Sequence, residues 1–176
     1  MRNQNRSNRV ADFKTLFGYS VDYAEFVSQG SAEEIAALRR DQDKTEQADF
    51  LSPELEAQIA ALKGRFTLLV AAEMWCPDCQ RNLPAIRALT QRYPDAQFGI
   101  LNRAQADAPF KDAFGVERVK IPFVAVLDEE FAPLGSFIER PRSVVTGGDE
   151  ALQSYKRGER LAETVGEIVG IMRQNA

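Results

Sequence analysis

The feature that most constrains this chain is an apolar run that leads into two cysteines at the start of an amphipathic helix. Residues 66–72 are almost continuously apolar, which is typical of a strand buried on both faces. The sequence Cys76-Pro77-Asp78-Cys79 follows, and apolar residues then recur at helical spacing until Pro94, before which the helix must end. A buried strand that continues into such a helix indicates an α/β fold.

The rest of the chain extends this alternation of strands and helices. Strands are predicted over residues 97–101, 123–127 and 134–138, and the last two are expected to form an antiparallel hairpin. A short helix is predicted over 107–114, and a final amphipathic helix begins near Leu161. The order βαβ, helix, ββα predicts a mixed sheet of four or five strands flanked by helices.

The first fifty residues predict helices that precede this α/β unit. Ser31 and Glu34 form a capping-box pattern, which predicts a helix over residues 32–44. A polar stretch over 41–47 is interpreted as a linker or an exposed turn, and Ser52-Pro53 begins the next helix. These signals divide the chain into an N-terminal helical extension and an α/β domain.

We assign the extension to residues 1–50 and the domain to residues 51–176. Residues 1–10 are polar and basic, and we expect them to be disordered. No apolar stretch approaches the roughly 18 residues that a membrane span requires, and charged residues interrupt any signal-peptide pattern. The sequence therefore predicts a cytoplasmic protein with no membrane partner.

Composition excludes several kinds of chemistry. The net charge of −4 and a pI near 5.1 argue against a nucleic-acid partner, because phosphate binding needs clustered lysines and arginines. The chain has no histidine, which excludes Ser-His-Asp triads, Cys-His pairs and histidine-ligated zinc. It has only two cysteines, too few for a complete thiolate metal site within one chain. We expect no metal and no cofactor, so any redox chemistry must depend on Cys76 and Cys79.

The spacing of the two cysteines suits thiol–disulfide exchange. Cys76 would lie at the N-terminus of the helix, where unpaired N–H groups and the helix dipole favour a thiolate. Because the thiolate is the attacking species, Cys76 is the predicted nucleophile. Cys79, one turn further along, is placed to resolve a mixed disulfide. Trp75 would either shield the disulfide and receive a substrate or belong to the core.

These residues resemble the thioredoxin family over a match from about Phe66 to the C-terminus. The resemblance rests on Trp75 with the two cysteines, on Pro84 five residues after the second cysteine, and on Ile121-Pro122 at the start of a strand. It implies a thioredoxin-like fold for the domain and a cis-proline loop that packs against the dithiol. The resemblance also implies a set of substrate-binding residues: Trp75, Pro77, Asp78, Ile121 and Pro122.

Two positions depart from the family pattern. Thioredoxins keep a buried aspartate in the strand before the cysteines as a proton acceptor for the second thiol, and the matching position here is Val70. Glu73 is the nearest carboxylate, and it is either a replacement proton acceptor or a solvated charge. Asp78 suits the first turn of a helix but disfavours a neighbouring thiolate, so we predict a Cys76 pKa of ~7.

Two further segments carry charged or small residues. Residues 139–142 would form either a loop that lies near the site and binds an acidic group or a solvated loop, and we favour the solvated loop. Residues 146–149, Thr-Gly-Gly-Asp, faintly resemble a glutathione-binding pattern, but a helix cap is the favoured interpretation.

The predicted function is reduction of protein disulfides. The expected partners are a protein or small-molecule disulfide and an electron donor, either a reductase or a low-molecular-weight thiol. Two alternatives remain open: a thioredoxin-fold adaptor without turnover, and a metal or iron–sulfur module in which two chains each contribute a CxxC pair. The oligomeric state and the direction of electron flow are not predicted.

Overall fold

A computed structural model describes residues 13–175 of this protein, so the segment 1–10 predicted to be disordered lies outside the described residues. Helix α1 covers residues 13–19 within this range. The remaining helices are α2 Tyr23–Ser28, α3 Ala32–Thr45, α4 Pro53–Ala60, α5 Pro77–Arg92, α6 Arg103–Phe114, α7 Arg142–Thr146, α8 Gly148–Lys156 and α9 Leu161–Gln174. The strands are β1 Phe66–Ala71, β2 Ala96–Leu101, β3 Phe123–Leu127 and β4 Pro133–Ile138.

The four strands form one mixed sheet in the order β2-β1-β3-β4. Strands β1 and β2 are parallel, whereas β1 with β3 and β3 with β4 are antiparallel. The predicted β3–β4 hairpin is therefore confirmed, with a bulge between Val126 and Leu127. Every residue of β1 and β3 is buried, so helices cover both faces of the two central strands. The α/β fold class and the mixed sheet flanked by helices are confirmed.

Aromatic residues join helices α1 and α6 to the sheet. The ring of Phe110 lies 5.8 Å from that of Phe13 and 5.2 Å from that of Phe123. Phe114 completes the cluster at 5.2 Å from Phe123. Such tilted and edge-to-face ring pairs add to the energy of apolar burial. Helices α5 and α9 also pack against each other, and α9 contacts β3 and β4.

The N-terminal helices pack closely on the rest of the chain. Helix α3 lies along α5, and Val21 forms an antiparallel bridge with Ile100 of β2. The Lys44 ammonium donates a 2.7 Å hydrogen bond to the carbonyl of Arg157, at the end of α8. A side chain at Gly99 would collide with Phe17 and Ser20, which shows how closely α1 approaches β2. The boundary at residue 50 remains a prediction, but it does not mark a detached unit.

The prediction of a linker or exposed turn over 41–47 is wrong for its first five residues, because α3 continues to Thr45. Asp41 and Thr45 are buried, and local bonds satisfy their side chains. The Lys44 ammonium lies 3.2 Å from the Asp41 carboxylate, and the Thr45 hydroxyl donates to the carbonyl of Gln42 at 2.7 Å. These contacts allow polar residues to lie inside a helix that packs on α5.

Capping residues also explain two helix boundaries, of which the first differs from the predicted one. Helix α6 begins at Arg103 rather than at residue 107, because Asn102 and Gln105 form a capping box. The helix-cap interpretation of residues 146–149 is confirmed, because Gly147 is the C-cap of α7 and the N-cap of α8, although no side-chain cap bond is present there. Within residues 13–175, no helix is long and apolar enough to cross a bilayer.

Candidate active site

The end of β1 and the beginning of α5 position the two cysteines. Cys76 is the N-cap residue of α5 and has extended backbone angles, and Pro77 occupies the first helical position. The amide of Cys76 donates to the carbonyl of Glu73 at 3.2 Å, and the Gln80 side chain donates to the carbonyl of Met74 at 2.7 Å. These bonds hold the loop between the buried strand and the helix, as the position of the motif predicted.

The two thiols have opposite environments. Cys76 is 7% solvent-exposed, whereas Cys79 is fully buried, and both are free thiols. A hydrogen bond from the Cys79 thiol, together with the N–H groups of Cys79 and Asp78, lowers the pKa of Cys76 to about 7 against burial and the Asp78 charge. Burial raises the pKa of Cys79 well above its ordinary value, and the Cys76 bond adds to this. Near neutral pH about half of Cys76 is therefore thiolate, whereas Cys79 is a thiol.

The loop that contains Pro122 lies against Cys76. The Ile121-Pro122 peptide bond is cis, and the Cys76 thiol lies 3.7 Å from the carbonyl oxygen of Ile121. The structure thus brings together two segments that are 45 residues apart in the sequence. Both Cys76 and Ile121 are largely buried, so a substrate would meet only the edge of this contact.

Trp75 stands on the surface beside the dithiol. Its side chain is 57% exposed, so the alternative in which Trp75 belongs to the core is wrong. Only Tyr19 and Val145 are comparably exposed among the large apolar residues that the structure describes. Pro77 is also exposed, so an apolar surface borders Cys76 on the side of the helix start.

Asp78 is held by three side chains that the sequence did not connect with it. The Tyr155 hydroxyl donates to Asp78 Oδ1 at 2.7 Å, and Arg140 Nε donates to the same oxygen at 3.3 Å. Arg81 Nη1 lies 3.6 Å from Oδ1, and Arg81 also stacks on the Tyr155 ring at 5.4 Å. The interpretation of residues 139–142 as a solvated loop is therefore wrong for Arg140. Its guanidinium points to the Cys76–Cys79 segment because the Asp78 carboxylate lies there.

A buried amide supports this arrangement. Asn82 is fully buried, and its Nδ2 donates to the Tyr155 hydroxyl at 2.8 Å and to the carbonyl of Glu139 at 3.2 Å. The Thr164 hydroxyl, also buried, donates to Asn82 Oδ1 at 2.6 Å. Buried polar groups that are fully bonded stiffen the elements they join, here α5, α8, α9 and the segment after β4.

An open pocket of about 730 Å³ extends from this side of the site. It lies between the end of β4 and helices α7 and α8, and its lining includes Lys120, Arg140 and Val145. Lys120 precedes Ile121, and Arg140 holds Asp78, so the pocket lies close to the dithiol. In the described part of the chain, no cluster of three or more histidine, cysteine or acidic residues could hold a metal ion.

Comparison with known proteins places this site in a family. A thioredoxin family model matches residues 21–152. The chain belongs to the thioredoxin family. The crystal structure of PA1234, a protein of unknown function from Pseudomonas aeruginosa, is similar at 39% identity and a TM-score of 0.87, over 92% of this chain and 96% of that one. The structure of an HIV epitope scaffold is similar at 37% identity and a TM-score of 0.88, over 93% and 98%. A search of curated proteins gives no match.

In this thioredoxin-family protein, the usual position of the buried aspartate is apolar, since Val70 is fully buried in β1. The Glu73 carboxylate accepts a hydrogen bond from the amide of Arg103 at 3.0 Å, at the start of α6. The backbone of Glu73, rather than its side chain, lowers the pKa of Cys79 against the effect of burial. The role of the Glu73 carboxylate as a proton acceptor remains a prediction.

Reasoning from the sequence found no indication of Tyr155, Asn82 or Thr164, and for Arg140 the less favoured alternative, a loop near the site that binds an acidic group, is the one the structure shows. The only local signal was Arg81, which lies three residues after Asp78 on the same helix and can pair with it. The other partners come from distant segments, and Tyr155 lies 77 residues from Asp78. No spacing rule joins residues so far apart, because packing of α8 and α9 on α5 brings them together.

Proposed function

We propose that this thioredoxin-family protein is a thiol–disulfide oxidoreductase that reduces protein disulfides. Cys76 is the nucleophile, and Cys79 is the resolving thiol. Trp75, Pro77 and Asp78, with Ile121 and Pro122, form the surface that receives the substrate chain.

The observation that carries this proposal is the contrast between the two thiols. Cys76 lies at the surface edge with a pKa of about 7, so about half of it is thiolate at neutral pH. Cys79 is buried and its pKa is raised, so it stays protonated until Cys76 has reacted. A thiol with a pKa near ambient pH is the best attacking group in disulfide exchange. This difference supports Cys76 as the first thiol to react and Cys79 as the second.

The reaction takes place in two successive thiol–disulfide exchanges. The Cys76 thiolate attacks one sulfur of the substrate disulfide, which forms a mixed disulfide and releases the other substrate sulfur as a thiolate. Cys79 then loses its proton and attacks the Cys76 sulfur, which forms the Cys76–Cys79 disulfide and releases the second substrate thiolate. Both released thiolates take up protons. Two electrons pass from the protein to the substrate, and a reductase or a low-molecular-weight thiol must return them.

The proposed cellular setting is the cytoplasm, where thiol pools keep such a dithiol reduced. The direction of electron flow depends on the reduction potential of the pair. A potential near about −270 mV indicates a reductant, and one near about −120 mV indicates an oxidant. We expect the reductant value, and a redox titration of the Cys76–Cys79 pair measures it.

Insulin reduction by dithiothreitol tests the activity. The wild-type protein should accelerate insulin precipitation, and Cys76→Ser should not. Arg157→Gln is a matched control, because Arg157 is a surface residue whose guanidinium pairs with Glu159 rather than with the active-site sequence. If wild type and Cys76→Ser precipitate insulin at the same rate, the proposed enzyme activity is rejected and the adaptor alternative is favoured.

The metal alternative has its own test. A CxxC pair shared by two chains would give a dimer whose mass and visible absorption depend on metal. Purified wild-type protein should instead show no visible chromophore and two titratable thiols per chain. A metal content of about one-half per chain, lost with the Cys79→Ser substitution, would support the bridged dimer.

A further inference from the structure

The carboxylate of Asp78 lies inside the active-site sequence, yet its charge is compensated from several directions. Its side chain is only 14% exposed. Arg140 approaches with Nε at 3.3 Å from Oδ1 and Nη2 at 3.5 Å from Oδ2, so both carboxylate oxygens have a partner on one guanidinium. The Tyr155 hydroxyl and the Arg81 guanidinium contact Oδ1 as well. Paired, charge-assisted bonds of this kind fix the orientation of a carboxylate as well as its charge.

The partners of Asp78 are themselves held in place. The Arg140 guanidinium lies 6.0 Å above the Tyr155 ring centre and pairs with Glu139 at 3.6 Å. The Tyr155 hydroxyl accepts a hydrogen bond from Asn82 while it donates to Asp78. A hydroxyl that accepts from a fixed amide has its own proton directed at the remaining acceptor, which here is the carboxylate. The geometry therefore favours one position of the Asp78 carboxylate.

An unpaired carboxylate at this position would oppose the chemistry. A negative charge two residues from Cys76 disfavours the thiolate, which is also negative. The same charge, when it is paired with two arginines, has a smaller effect on its neighbours because the net charge of the group is no longer negative. We propose that Arg140 and Tyr155 are positioning residues, which hold Asp78 in a compensated arrangement and so keep Cys76 reactive at neutral pH. This inference rests on the proposed role of Cys76 as the nucleophile.

Several other titratable and charged groups surround the site, among them Lys120, which precedes Ile121 and lines the pocket together with Arg140. Cys79 and Arg81 belong to the same helix as Asp78, Glu139 is paired with Arg140, and Tyr155 comes from α8. The Glu73 carboxylate bonds to the amide of Arg103 at the start of α6. Arg140 is the residue from outside α5 that brings a positive charge to Asp78 in the described chain.

Alkylation of Cys76 by iodoacetamide as a function of pH measures the effect directly. In Arg140→Gln the titration should move to higher pH, so that alkylation at pH 6 is about two- to fivefold slower than in wild type and equal above pH 9. Arg140→Lys keeps the positive charge and should restore most of the wild-type profile. The control Arg157→Gln removes one guanidinium of the same kind at a surface pair with Glu159 and should change nothing.

A second comparison separates positioning from a direct charge effect. If Arg140 acts through Asp78, the change caused by Arg140→Gln should shrink at least twofold in an Asp78→Asn background. Tyr155→Phe, which loses only the hydroxyl, should move the titration in the same direction as Arg140→Gln, with the far-ultraviolet circular dichroism unchanged. An equal shift in both backgrounds, or no shift in Arg140→Gln, overturns the proposal.

The outcome is independent of the proposed enzyme activity. A titration that shifts as expected in a protein that does not reduce insulin would keep the positioning role and reject the activity. Insulin reduction by wild type together with an unshifted titration in Arg140→Gln would do the reverse.

Discussion

Gly30, in the turn between α2 and α3, lies directly against the side chain of Met74, two residues before Cys76. A methyl group on Gly30 would lie 2.6 Å from Met74 Cε and 3.3 Å from Met74 Cβ. Met74 is buried, and its carbonyl accepts the Gln80 hydrogen bond that holds the loop before α5. The N-terminal helices therefore form one wall of the loop that presents the dithiol.

The order of the two thiols leads to a trapping experiment. In Cys79→Ser the first exchange can occur but resolution cannot, so a mixed disulfide between Cys76 and the substrate should accumulate. Non-reducing electrophoresis after incubation with oxidised insulin should show this adduct in Cys79→Ser. The adduct should be absent from Cys76→Ser, and a band of equal intensity in that variant would contradict the assignment of the nucleophile.

The lowered pKa of Cys76 predicts the pH dependence of its reaction. A thiol whose pKa is lowered to about 7 gains thiolate at a lower pH than an unperturbed cysteine, so alkylation should rise from pH 5 to 8 and then level off. At pH 6 the rate should be roughly a tenth of the plateau. Mass spectrometry should find Cys79 unmodified over this range, because burial raises its pKa. A midpoint below pH 5 or above pH 8.5 would contradict this reading.

Trp75 should matter for large substrates more than for small ones. Because its ring is more than half exposed, Trp75→Ser should cost little stability, within about 0.5 kcal/mol. Turnover of a protein disulfide should fall several-fold, whereas exchange with a small disulfide should be nearly unchanged. The comparison uses insulin and a low-molecular-weight disulfide under the same conditions. A parallel loss for both substrates would indicate that Trp75 affects the thiols themselves.

Glu73→Gln tests the remaining candidate for the proton acceptor. The amide oxygen of glutamine can still accept the bond from the Arg103 amide, so the start of α6 should keep its structure. If the carboxylate assists Cys79, the resolving step should slow below pH 8 and recover at higher pH. The pH–rate profile of the second exchange decides this, and an unchanged profile would reject a proton-transfer role for Glu73.

The contact between α1 and β2 predicts a stability difference between two glycines. A Cβ atom at Gly99 would lie 2.9 Å from the Phe17 ring and 2.8 Å from Ser20 Cβ, so Gly99→Ala should cost about 1–3 kcal/mol. At Gly166, inside α9, a Cβ would meet no heavy atom within 4 Å. Gly166→Ala should therefore stabilise the protein by about 0.5–1 kcal/mol. Urea unfolding compares the two variants, and equal effects would contradict the close approach.

The sequence predicted the parts of this fold that depend on local patterns. Periodicity and capping residues placed the strands, helix α5 and the start of α3, and the resemblance of residues around the cysteines indicated the family. The helix predicted over 32–44 matches α3 to within one residue, but polar composition wrongly suggested a linker or turn over residues 41–45. Helix α7 was not predicted, because its five residues are too few to show a helical periodicity.

In the candidate site, too, only the residues carried by local sequence patterns were predicted. The cysteines, Trp75 and Ile121-Pro122 were found because short motifs carry them. The partners of Asp78 were not, since the pairing of Arg140 and Tyr155 with that carboxylate depends on how α8 and the segment after β4 pack. A charged residue in a loop has no sequence signal that separates a solvated position from a buried partner.

The bridge between Val21 and Ile100 has a consequence for solubility. Strand β2 is at the edge of the sheet, where unpaired N–H and C=O groups can recruit another chain. The amide and the carbonyl of Val21 each bond to Ile100 at 2.9 Å, and α1 covers the neighbouring Gly99. The N-terminal segment thus pairs part of this edge, and a chain without it would expose unpaired backbone groups of β2 that could bind the edge of a second chain.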